Sequence, residues 1–134
     1  PYSASKAGGD HIARVYFHTY GIPTIITNCS NNYGPYQFPE KLVPLTILNA
    51  LEDQPISVYG DGQNIRDWIH VNDHVNALMK IIRKGQAGET YLIGSNNCFP
   101  NLEIVQLLCR VLDSIHPKLG GGTYLDQIQR MKYL

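Results

Sequence analysis

With 134 residues, 43% hydrophobic and 16% charged, the chain holds enough apolar material for one modest core. Eleven Lys and Arg balance eleven Asp and Glu, so there is no net field to recruit nucleic acid or an anionic membrane, and an anionic ligand must be met by individually placed cations. The apolar stretches stop well short of the length of a transmembrane helix, and three cysteines (Cys29, Cys98 and Cys109) without C-x-x-C spacing point to a reducing cytoplasm.

A helical pattern begins almost at once. Ile12, Val15, Tyr16 and Thr19 recur at helical spacing from about Ser3 to Tyr20, and Gly21 with Pro23 closes the segment. Starting at Pro1, inside such a pattern, is how a fragment would begin. The β-branched run from Thr24 to Asn28 predicts a strand buried on both faces, as in a parallel sheet. Residues 29–39 have loop chemistry with an unusual share of aromatics: Tyr33, Tyr36 and Phe38. A second helix is expected from Glu40 to Glu52, with Pro44 tolerated in its first turn. Ile56–Tyr59 reads as a strand, followed by a Gly60-Asp61-Gly62 turn and a strand at Trp68–Val71. Asn72 or Asp73 is placed to cap a helix that buries Val75, Leu78, Met79 and Ile82 and ends on Arg83-Lys84. Tyr91–Gly94 gives a last strand, and Asn101 is placed to cap a helix on Leu102, Val105, Leu108, Cys109 and Leu112. The pattern from Thr123 onward assigns no element.

Tyr2 and Lys6 stand one helical turn apart and share a face, where an ammonium favours phenolate on its neighbour. By spacing alone the pair is more often an ordinary helix surface. Arg66 offers a fork of donors suited to phosphate, although by composition it is more often a solvated surface charge. His70 and His74 are four apart, yet no third ligand stands at a suitable position, so no metal site is expected.

Three stretches give the pair its context. Pro1–Ala7, Thr27–Leu42 and Tyr59–Val71 resemble the extended short-chain dehydrogenase/reductases in order and spacing. Within that superfamily the run Asn31-Asn32-Tyr33-Gly34-Pro35-Tyr36-Gln37-Phe38-Pro39-Glu40-Lys41 resembles the dTDP-glucose 4,6-dehydratases, and residues 88–101 continue the match, which covers about residues 1–115. The resemblance implies an α/β fold: the C-terminal part of a doubly wound NAD-binding Rossmann sheet plus a smaller nucleotide-sugar-binding α/β domain. Residues 1–30 would end the cofactor domain and 31–134 would mainly build the substrate domain, with 66–84 a candidate for return to the first sheet.

It also implies roles. Tyr2 would be the catalytic acid/base, and Lys6 would hold the nicotinamide ribose of NAD while tuning the tyrosine; Asn32 falls at a cofactor contact. Asn31, Lys41, Leu42, Ser57, Val58, Tyr59, Arg66 and Asn101 fall where the family grips dTDP-glucose, with Arg66 on the pyrophosphate. The family's reaction is that of a hydro-lyase. C4 of the glucose is oxidised, water leaves across C5 and C6, and hydride returns to C6, giving a 4-keto-6-deoxy sugar for rhamnose-type biosynthesis. A cytoplasmic homodimer packed partly through the first helix is implied as well.

There are departures. No G-x-x-G-x-x-G loop, no Thr-Asp-Glu motif and no Arg-Pro-Gly-His-Asp segment occur here, and Ser57 stands where proline is usual. Hence the chain alone is expected to be inactive. The rival expectations are another nucleotide-sugar epimerase or decarboxylase of the superfamily, or a non-catalytic binding module.

Overall fold

A computed structural model describes residues 1–132. The elements run α1 (Tyr2–Tyr20), β1 (Ile26–Cys29), β2 (Asn31–Tyr33), α2 (Leu42–Leu51), β3 (Ile56–Tyr59), β4 (Ile65–His70), α3 (Val71–Lys84), β5 (Thr90–Ile93), β6 (Cys98–Pro100), α4 (Asn101–Ile115), a 3-10 turn (Tyr124–Gln127) and β7 (Ile128–Met131).

Helix α1 stops where the sequence says it must. Gly21 adopts a left-handed φ of 68°, and the amides of Gly21 and Ile22 return to the Phe17 and Tyr16 carbonyls, satisfying groups the helix leaves open. β1 then pairs in parallel with β5, Ile26 opposite Thr90 and Cys29 opposite Ile93. This strand departs from expectation: only Ile26 is buried, while Thr27, Asn28 and Cys29 are exposed. Among the described residues β5 is its only partner and α1 buries no side chain, so β1 is covered far less than a central parallel strand.

β4 is the centre of a second sheet, parallel to β2 and antiparallel to β6. It starts three residues before the expected strand, and its last residue, His70, is the N-cap of α3. The His70 Nδ1 accepts the Asn72 amide, a duty expected of Asn72 or Asp73 themselves. A third sheet pairs β3 with β7 in parallel, Ile56 opposite Ile128, so the stretch without a sequence assignment supplies a strand. It is introduced by a capping box in which Thr123 and Asp126 exchange hydrogen bonds.

The main core lies in this last part. Ala50 of α2, Ile56 and Val58 of β3, Val105, Cys109 and Leu112 of α4, and Tyr124 close on one another. Cys109 is fully buried, and burial, with a smaller push from Asp113, raises its thiol to about 11, leaving it a small inert hydrophobe. Cys29 and Cys98 are exposed. Among the described residues no helix is long and apolar enough to cross a membrane, and no group of three or more metal-ligating side chains gathers.

Candidate functional site

A cavity of about 510 Å³ opens beside this core, between α2, β3, β4 and the start of α4. It brings together every residue expected to grip substrate except Lys41: Asn31, Leu42, the Ser57-Val58-Tyr59 strand, Arg66 and Asn101 all line it. Sequence reasoning missed Glu40, Leu45, Asn49, Trp68 and Met131 on the same walls. Asn49 and Leu45 were legible as one face of α2. Met131 reaches the cavity through the β3–β7 pairing, for which no local signal exists.

The backbone around the cavity is specified tightly. Gly62, in the turn between β3 and β4, has φ +74°, and a Cβ there would lie 2.8 Å from both Leu102 Cβ and Val58 Cγ1. Only glycine suits the position. The turn also explains the start of α4. The Asn101 amide donates to the Asn64 carbonyl at 3.1 Å and the Leu102 amide to the Gly62 carbonyl at 3.0 Å, so main-chain carbonyls satisfy amides that a cap side chain would normally take.

Asn101 is therefore not the cap. Pro100 holds that position, no side-chain cap bond forms, and the Asn101 Oδ1 is buried without a hydrogen-bond partner. A buried acceptor in that state costs free energy until a donor arrives, which is the condition of a ligand contact. Trp68, 8% exposed, likewise leaves its Nε1 buried and unpartnered; it also lines an apolar cavity of about 370 Å³ with Phe99 and Leu107.

Arg66 supplies the cation. It is exposed, donates one Nη1 bond to the Ile65 carbonyl at 3.1 Å, and has no carboxylate partner among the described residues. Its position is fixed by its neighbour Asp67, whose carboxylate accepts from the Ser95 Oγ at 2.8 Å, the Ser95 amide at 3.0 Å and the Asn97 amide at 2.9 Å. Those donors, the Ser95 hydroxyl foremost, hold the Asp67 carboxyl below its ordinary range.

Lys41 stands apart from the cavity wall. Its Nζ lies 2.8 Å from Glu40 Oε1, and that hydrogen bond, followed by the Glu40 charge, holds the ammonium above its ordinary range. Tyr2 and Lys6 lie one turn apart on α1, both exposed, and neither lines the cavity. Asn32 is internally committed: its Nδ2 donates to the Ser30 carbonyl at 3.2 Å and weakly to Cys29 Sγ, and its Oδ1 lies 2.9 Å from His74 Nδ1.

Residues 1–94 match the model of the NAD dependent epimerase/dehydratase family. The chain is 57% identical over 128 residues to the dTDP-glucose 4,6-dehydratase of Salmonella typhimurium, covering 96% of this chain and 35% of that protein. Among solved structures it is similar to the dTDP-glucose 4,6-dehydratase of Bacillus anthracis in complex with NAD, at TM-score 0.86 and 46% identity over 99% of this chain and 40% of that one. It is also similar to the Streptomyces venezuelae dTDP-glucose 4,6-dehydratase with NAD bound, at TM-score 0.86 and 42% identity over 98% of this chain and 38% of that one. The chain thus spans about 35% of the length of the curated relative it matches. On this evidence the chain belongs to the NAD dependent epimerase/dehydratase family.

Proposed function

We propose that this chain carries the tyrosine–lysine pair and the nucleotide-sugar cleft of a cytoplasmic, homodimeric dTDP-glucose 4,6-dehydratase. The observation that carries the reading is the convergence of Arg66, the unpartnered Asn101 Oδ1 and the Ser57–Tyr59 strand on one cavity. In this reading residues 1–30 with β5 belong to the cofactor domain and the rest mainly to the substrate domain.

Arg66 meets the pyrophosphate with the guanidinium donors it does not spend on Ile65. Asn31, Leu42 and Asn101 fix the nucleotide, while the β3 backbone at Ser57–Tyr59 lines the base. Lys41 stands off the cavity wall, paired with Glu40, and would have to leave that pair to meet the ligand. Tyr2 takes the proton from the sugar C4 hydroxyl, and Lys6 stands one turn away on the same face of α1. The residues present fit the nicotinamide end of NAD: the Lys6 ammonium is exposed and, among the described residues, unpaired with any carboxylate, so it can donate to ribose hydroxyls. NAD bound there would supply reversible hydride acceptance. The glycine-rich loop that cradles a dinucleotide pyrophosphate is not among these 134 residues.

The test is product formation. Joined to the amino-terminal portion of the Salmonella relative, the chain should convert dTDP-glucose to the 4-keto-6-deoxy product, and Tyr2→Phe should cut turnover at least about a hundredfold with the fold intact. The chain by itself should give no product. Near-normal turnover of Tyr2→Phe would end the mechanistic reading, and epimerised product would reassign the substrate chemistry.

A further inference from the structure

We propose that His74 is a positioning residue that fixes the side-chain amide of Asn32 by donating to it from a protonated Nδ1. The inference rests on the reading of Asn32 as a cofactor contact. His74 lies in the first turn of α3, is half-buried, and reaches across to β2, 42 residues away in sequence.

The direction of the bond follows from the partners. The Ser30 carbonyl can only accept, and it lies 3.2 Å from one terminal atom of the Asn32 amide, so that atom is Nδ2. The other atom is Oδ1, which can only accept. His74 Nδ1, 2.9 Å away, must then carry the proton. His70, one turn earlier, has the opposite assignment, because its Nδ1 accepts the Asn72 amide. Two histidines at metal-like spacing are thus both engaged through Nδ1, His70 in capping α3 and His74 in holding Asn32.

The consequence is a fixed loop. The Asn32 amide is held on both ends, and its main-chain carbonyl accepts the Gln37 Nε2 at 2.8 Å, which folds residues 33–37 back over β2. With its side chain spent, Asn32 can meet a cofactor only from the placement His74 imposes on it. Losing the His74 donor would leave a half-buried acceptor unsatisfied and let the amide turn, an effect on the scale of one hydrogen bond.

Two measurements test this. In the chain itself, long-range nitrogen–proton correlation spectra should show a protonated Nδ1 for His74; a ring whose proton sits on Nε2 alone would overturn the proposal. In the full-length context described above, His74→Leu should weaken NAD affinity about three- to tenfold with dTDP affinity unchanged. His74→Asn, whose amide can place a donor near the Nδ1 position, should restore it to within about twofold. If Asn32→Ala weakens NAD binding but His74→Leu does not, the positioning role is refuted while the cofactor contact stands. If neither substitution changes NAD binding, the assignment of Asn32 has failed and the positioning role with it. Equal losses of NAD and dTDP affinity in His74→Leu would mark His74 as a general fold residue and likewise refute the role.

Discussion

Arg66→Ala offers the sharpest test of the cleft, because a globally neutral chain has to meet a diphosphate with local charge. The guanidinium carries five N–H donors and spends one on the Ile65 carbonyl, so a bidentate grip on a phosphate remains open to it. A charge-assisted hydrogen bond contributes about 1.5–3 kcal/mol when shielded. Arg66 is exposed, and solvent screening takes the expectation to about 1–2 kcal/mol, or roughly five- to thirtyfold in affinity. Calorimetric titration with dTDP at low and high salt should show that loss at low salt and a smaller one at high salt, where the wild type has itself weakened. Arg66→Lys should recover the charge but not the fork, and so restore only part of the affinity. Equal dTDP affinity for wild type and Arg66→Ala at low salt would remove Arg66 from the site.

Two further outcomes test the frame around it. Gly62→Ala forces a left-handed backbone on alanine and drives a Cβ to 2.8 Å from Leu102 and Val58, so chemical denaturation should show about 2–4 kcal/mol less stability; a change under about 0.5 kcal/mol would refute the assigned turn geometry. The Asp67 carboxyl titrates below its ordinary range, so its stabilisation is complete above the unfolded value near 4 and is lost as pH falls through the lower folded value; Asp67→Asn should melt lower than wild type at pH 7, with the gap narrowing in acid, and a constant gap from pH 7 to 2 would refute the charge-based account.

Periodicity reveals what is local. The ends of α1 at Gly21, the strand at Ile56–Tyr59 and the apolar face of α4 through Val105, Cys109 and Leu112 all follow from residues within a turn or two. The strand after Pro23 was misjudged because a β-branched run signals strand but not coverage. How far β1 is buried depends on what covers it; among the described residues β5 is its only strand partner, and α1 reaches it through the Asn28–Asp10 hydrogen bond without burying it. β7 was invisible for the same reason: Ile128–Met131 has no alternation of its own and exists as a strand through β3, more than seventy residues earlier. The candidate site was legible only through the family resemblance, since by identity alone Arg66 reads as a surface charge and Asn101 as a helix cap.

Asn101 shows why motif and geometry have to be read together. An Asn before an apolar helical run reads as a cap because its side chain commonly satisfies the first free amides. Here β4 and β6 are registered so that Ile65 faces Pro100 and Arg66 faces Phe99, which draws the Gly62–Asn64 turn against the start of α4. The carbonyls of that turn take the Asn101 and Leu102 amides, and the side chain is released from capping. The same register sets Arg66 and Asn101 on one cavity, a cation beside an unpartnered acceptor. A substitution that shifts the register by one residue would turn Arg66 to the opposite face of the sheet and return Asn101 to ordinary cap duty. The pairing of β4 with β6 is therefore what turns two unremarkable surface residues into one candidate binding site.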